Sequence, residues 1–134
     1  MAIFEWEDSL SVGIGEIDSQ HKELIIKLDE LAQCILHKTG KDKIATMLRF
    51  MDDYAEMHFA TEESYMGKYD YPGLEHQKKE HEKFKNTTSR LIKNLESEKD
   101  LEHFASQVQR FLIDWLILHI RTTDLKFGEF LKEK

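Results

Sequence analysis

A chain of 134 residues with one proline, six glycines and a net charge of −7 fits a single domain around one core, helical in composition. Its lysines and arginines are dispersed, which excludes the basic face that nucleic acid requires and offers nothing to an anionic membrane surface. One cysteine excludes an intrachain disulfide, and the most apolar stretch, residues 111–120, is about half a membrane span and carries Asp114 and His119.

Residues 1–17 mix Phe4, Trp6, Leu10, Val12 and Ile14 with Gly13 and Gly15. They read as an ordered, non-helical arm that lays its aromatic rings on the rest of the fold. The segment has no basic n-region and no long apolar run, so a secretory leader is not expected; a cytoplasmic protein is. Asp18 is placed to cap a first helix over about residues 18–37, which Thr39-Gly40 ends. Its apolar stripe is His21, Leu24, Leu28, Leu31 and Ile35, and Cys34 beside that stripe reads as packing rather than as a nucleophile. A second helix over about 42–68 carries Ile44, Leu48, Met51, Ala55 and His58 at steps of three and four. Tyr69-Asp70-Tyr71-Pro72-Gly73 is a firm turn, with Pro72 suited to the first turn of a third helix over about 73–95. That helix aligns Leu74, Gln77, His81, Phe84, Thr88, Leu91 and Leu95. A charged loop, 97–99, leads to Asp100 as the cap of a fourth helix over about 100–120, with the stripe Val108, Leu112, Trp115 and His119. Leu125, Phe127, Phe130 and Leu131 mark a short amphipathic C-terminal helix in the tail 121–134.

Short connections make neighbouring helices antiparallel, so the expectation is an all-α, up-down-up-down four-helix bundle. In that topology the start of the first helix, the end of the second, the start of the third and the end of the fourth share one end. His21, His58, His81 and His119 therefore converge. Buried imidazoles in such number need a chemical reason, and imidazole is the commonest protein ligand for metals. Two carboxylates join them. Glu62 follows His58 by four residues, on the same face. Asp124 follows His119 by five, about 140° round an ideal helix, so it reaches the site only where the helix widens or unwinds. Four imidazoles and two acids exceed the tetrahedral needs of one zinc and suit two cations bridged by the acids. The mixed donors favour iron, with manganese or zinc open. No Glu-x-x-His motif of the ferritin type is present, nor His-Glu-x-x-His, nor Gly-x-Ser-x-Gly.

The arm Phe4-Glu5-Trp6, the run Gly15 to His21, His58-Phe59-Ala60-Thr61-Glu62-Glu63, Tyr71-Pro72 with Glu80-His81, and His119 with Asp124 together resemble a bacteriohemerythrin over the whole chain. The resemblance implies two iron ions joined by an oxo or hydroxo bridge, with O2 bound at one of them. Carried over, His21 and His58 serve the O2-binding iron, His81 and His119 the other, and Glu62 and Asp124 bridge. One position departs from the family: a histidine is usual four residues before the His81 position, where this chain has Gln77, with His76 one place earlier. The seam of the third helix points Gln77 inward and His76 away, and a distorted helix start that brings His76 in is the alternative. Gln77 can offer its amide oxygen, a weaker ligand than imidazole, or hydrogen-bond a ligating water. Ile25, Phe59, Trp115 and Leu116, with Met57, are expected to wall an apolar O2 pocket, and Tyr54 to hydrogen-bond near it. Glu63 reads as a surface residue or a partner to a ligand, and His37, His76 and His103 as solvated. The implied role is a monomeric O2 carrier, store or delivery protein rather than an enzyme, its site also open to peroxide, NO and azide-like anions. A diiron enzyme with oxidase, peroxidase or NO-reducing activity, enabled by Gln77, is the alternative, followed by an O2, redox or iron sensor.

Overall fold

The computed structural model describes residues 4–38, 40–95, 97 and 99–133. The readings that fall on Thr39, on residue 98 and on the extreme ends of arm and tail lie outside the described residues. The fold is an all-α bundle: α1 (Gly15–Leu36), α2 (Lys41–Lys68), α3 (Leu74–Leu95) and a fourth run made of α4 (Leu101–Val108), a π-turn (Gln109–Ile113), α5 (Asp114–His119), a second π-turn (Ile120–Asp124) and α6 (Leu125–Lys132). α1 packs on α2 and α2 on α3, and the fourth run closes the bundle against both α3 and α1. No described helix is long and apolar enough to cross a membrane.

Several helix ends differ from expectation. α1 begins three residues early, with Ile14 at the cap position and no side-chain cap. Asp18 instead lies inside the first turn and ties down the arm, accepting from Ser11 Oγ at 2.5 Å and from the Val12 amide at 2.9 Å. The arm is not wholly irregular either, since Asp8–Leu10 form one 3₁₀ turn. Phe4 and Trp6 do pack on the core, and the Phe4 amide reaches Asp29 Oδ1 at 2.9 Å. Gly40 does not close α1. With φ of +102° it opens α2, a conformation in which a glycine carries no side-chain penalty. The left-handed residue after α1 is Lys38, at φ 53°. Pro72 sits in the turn before α3 rather than in its first turn. Asp100 caps α4 as expected, accepting from the His103 amide at 3.1 Å. The fourth helix does not stop near residue 120. It runs on into α6 without a break.

The reason for that continuity lies in the spacing of the buried residues. Phe104, Val108, Leu112, Leu116, Ile120 and Asp124 are all buried and recur every four residues. At 100° per residue such a series drifts about 40° per step, so Phe104 and Asp124 would end about 200° apart on an ideal helix. A π-turn absorbs one extra residue, about 100° of rotation, without ending the helix. Two π-turns return the series to one face.

The apolar interior falls into two clusters. The larger includes Leu24, Leu28, Leu48, Met51, Phe84, Leu91, Phe104 and Leu112. The smaller joins Val12, Ile17, Met66 and Phe127, with Tyr71, Leu74 and Phe130 against it. Gly128 lets α6 approach the arm, because a Cβ there would lie 2.9 Å from Val12 Cα. Along each helix the residues between the two clusters are polar and buried: His21 on α1, His58 and Glu62 on α2, Gln77 and His81 on α3, His119 and Asp124 on the fourth run.

Candidate metal centre

This polar layer is sealed above and below by apolar side chains, and it does not satisfy itself. His21, His58, His81 and His119 are at most 3% exposed, and Glu62 and Asp124 are fully buried. The acids stand at the centre. Glu62 Oε1 lies 3.2 Å from His58 Nε2 and 3.5 Å from His81 Nε2, while its Oε2 lies 3.4 Å from His21 Nε2. Asp124 Oδ2 lies 3.0 Å from His21 Nε2 and Oδ1 3.2 Å from His119 Nε2. None of the four Nε2 atoms makes a well-formed hydrogen bond, nor does either Glu62 oxygen or Asp124 Oδ2. Buried polar atoms without partners are costly, and so many aimed at one point suit a bound cation that accepts lone pairs.

The donor atoms divide into two sets, each within 4.8 Å: His21, His58, Glu62 and Asp124; and Glu62, His81, His119 and Asp124. Both carboxylates belong to both sets. Either acid could therefore serve a cation held by either set. The outer nitrogens of two rings are held from behind. His58 Nδ1 lies 2.8 Å from Gln20 Oε1, and His81 Nδ1 lies 2.8 Å from Glu63 Oε2. Both partners accept, so each Nδ1 carries the proton and each Nε2 turns a lone pair inward, the tautomer a metal needs. Of the two readings of Glu63, its half-buried carboxylate takes the role of partner to His81. Gln20 was missed, although it sits three residues after Ile17 and four before Leu24, a buried polar residue on the apolar stripe.

Asp124 arrives because the helix widens. Ile120–Asp124 is a π-turn, so the five-residue step from His119 brings the acid back over the imidazole without unwinding at Thr122-Thr123. Gln77 is 1% exposed and at the site, while His76 is exposed. His37 and His103 are exposed too. Of the expected pocket wall, Phe59 stacks face to face on His81 at 3.9 Å and half-buried Trp115 lies flat on His119 at 4.9 Å. Ile25 and Leu116 are buried in the larger cluster. Met57 is not part of a wall: it is 45% exposed and its sulfur accepts from Gln20 Nε2 at 3.3 Å. Tyr54 does not turn to the cluster. It stacks on Phe50 at 5.6 Å. Cys34 is buried with its sulfur 3.5 Å from Met47 Sδ, as packing requires.

Protons balance the charge of this layer when no cation is bound. Burial disfavours a charged His21 ring, but the Asp124 and Glu62 carboxylates close to it outweigh burial and push its pKa up to about 10. His119 is raised on the same balance, burial opposing and Asp124 prevailing. Burial works against the Glu62 anion, yet charge from His58 and the closeness of the His21, His58 and His81 rings hold its pKa well below the usual range. Asp124 is lowered against both burial and the charge of Glu62, chiefly by His119 and His21. Between the unperturbed histidine value of about 6.5 and the folded value of about 10, the folded chain holds a proton on His21 that the unfolded chain lacks. The stabilisation from His21 is therefore complete below about 6.5 and is lost as pH rises towards 10. The depressed acids act in the opposite sense, contributing above the usual carboxylate range and losing their contribution as pH falls. In chelator, the urea midpoint is expected to fall steadily from pH 7 to pH 10. With cations in place of those protons the fall disappears. Superimposable curves with and without metal would contradict this.

The comparisons with known proteins agree with one another. Residues 12–131 match the family described as the hemerythrin HHE cation binding domain. A bacteriohemerythrin of Clostridium acetobutylicum is 30% identical over 129 residues, spanning 93% of this chain and 98% of that protein. A bacteriohemerythrin of Pseudomonas aeruginosa is 32% identical over 134 residues, spanning 98% and 84%. The fold superposes on a crystal structure of wild-type hemerythrin with a TM-score of 0.79, at 26% identity, covering 96% of this chain and 97% of that one.

Proposed function

The chain belongs to the hemerythrin family, and from that premise we propose that it binds O2 reversibly at a pair of irons held in the polar layer of its bundle. His21 and His58 hold one iron, His81 and His119 the other, and Glu62 and Asp124 bridge them, with an oxo or hydroxo group completing the bridge. The single observation that carries the reading is the shared pair of carboxylates between two sets of inward Nε2 atoms that have no partner of their own. Calcium and magnesium prefer all-oxygen shells, and a single zinc uses four donors, so this donor set suits iron best. The irons, when bound, supply the electrons and the open position that O2 requires.

The chain's own contribution is placement and dryness. Gln20 and Glu63 orient the His58 and His81 rings and fix their tautomers. Phe59 and Trp115 cover the faces of His81 and His119, and Ile25 and Leu116 fill the apolar layer beyond. Exclusion of water keeps protons from a reduced ligand and favours its departure as O2. We read the chain as a monomeric carrier or store in the cytoplasm. Buried Cys34 suits a reducing compartment.

Rapid mixing of the reduced, iron-loaded chain with O2 tests the reading. A coloured oxygenated protein that persists and bleaches under vacuum is the expected result. A second reading, a diiron enzyme with oxidase, peroxidase or NO-reducing activity, is favoured by the amide of Gln77 in place of a third imidazole beside His81 and His119. Prompt, irreversible conversion to the oxidised protein would select that reading and overturn the carrier.

A further inference from the structure

Gln77 deepens this reading, and its role rests on the two irons proposed above. The amide is 1% exposed, wedged between α3 and the second π-turn. Its Nε2 donates to Asp124 Oδ1 at 3.1 Å and to the Thr123 carbonyl at 3.3 Å. Its Oε1 is buried without a partner. The orientation of the amide follows from those neighbours. Exchanging nitrogen and oxygen would press a carbonyl against two acceptors, so the NH2 end belongs where it is. An amide ligates a cation only through its oxygen; this one turns its nitrogen to the bridging acid and leaves its unpartnered oxygen to accept from a water or other ligand in the exchangeable position. We propose that Gln77 is not a ligand but a clamp on Asp124, and that the His81/His119 iron therefore keeps an exchangeable position for a small anion, as the His21/His58 iron does.

Apart from Gln77, each half of the layer supplies two imidazoles and the two shared acids. A surface cleft of about 410 Å3, lined by Phe59, Glu63 and His81 and rimmed by Lys78 and Lys85 together with Glu56 and Glu82, opens beside the His81 half.

The test is a titration of the oxidised, iron-loaded full chain with sodium azide, followed by visible charge-transfer absorbance and calorimetry, after iron has been counted. Two irons and two azides per chain are expected. Gln77→His is expected to keep two irons and take one azide, because imidazole fills the position. Gln77→Leu is expected to keep both irons. Two irons but one azide in the wild type overturns the proposal and leaves the diiron reading standing. Loss of one iron in Gln77→Leu, with helicity unchanged, also overturns it, since Gln77 would then be a ligand. A wild-type chain that cannot hold two irons removes the diiron reading itself, and this inference with it.

Discussion

Glu62→Ala is expected to empty the centre of both irons, not of one. Glu62 belongs to both donor sets, and its two oxygens face His21 on one side and His58 and His81 on the other. Removing it leaves each cation one anionic donor short and places the whole positive charge of the pair against Asp124 alone. Iron per chain is expected to fall from two to near zero after desalting. The melting temperature of the iron-loaded preparation follows, because a ligand held at a hundred to a thousand times its dissociation constant stabilises by about 3–4 kcal/mol. For a domain of this size that is a drop of roughly 10 °C. The comparison is made with metal and with chelator. A large drop is expected in iron and a smaller one without, since the metal-free chain loses only the pairing of a buried acid with protonated rings. An unchanged melting temperature in iron would mean that Glu62 holds nothing, and an equal drop in both conditions would make it a structural residue alone.

The same layer explains which parts of this fold could be read before any coordinates. An apolar stripe interrupted by histidine is a strong signal when it recurs on four segments, because burial leaves an imidazole few alternatives to a partner. The convergence of His21, His58, His81 and His119 followed from that pattern and from antiparallel connections alone. Glu62 was equally plain, since a four-residue step repeats on any helix. Less visible were features that depend on what faces a residue rather than on its own helix. Gln20 sits one residue before His21, and only the position of α2 shows that its amide oxygen meets His58 Nδ1. Asp18 looked like a cap because caps are local, yet it is claimed by Ser11 and Val12 from an arm that folds back over it. Tyr54 and Met57 lie on α2 turned away from the centre, a difference of one helical step that periodicity resolves poorly. The first π-turn, Gln109–Ile113, was missed although its signal is present: buried residues at Phe104, Val108, Leu112 and Leu116, three successive steps of four where an α-helix alternates three and four.

The second π-turn carries the other large prediction, because it converts a difference of one residue into the presence or absence of a bridge. His58 and Glu62 achieve their shared face on regular helix with a four-residue step. His119 and Asp124 need five, and Ile120–Asp124 absorbs the surplus. Inserting one alanine after Thr122 adds a residue that the existing π-turn does not absorb. It swings Asp124 by about 100°, out of the layer. Both irons are expected to be lost, as with Glu62→Ala, and Phe127 leaves the small cluster that it shares with Val12, Ile17 and Met66. Deleting Thr122 has the opposite expectation despite being the same size of change. The π-turn relaxes to α, the step from histidine to acid becomes four, and α6 keeps its facing. Thr122 is exposed; its hydroxyl donates to the Leu118 carbonyl at 2.7 Å and lies 3.5 Å from the Thr123 hydroxyl, so little else is lost. The deletion variant is expected to retain two irons per chain and the near-ultraviolet bands of the bridged pair. If deletion and insertion empty the centre alike, the π-turn is shaping the site by more than rotation, and the four-residue geometry of α2 is no guide to the fourth helix.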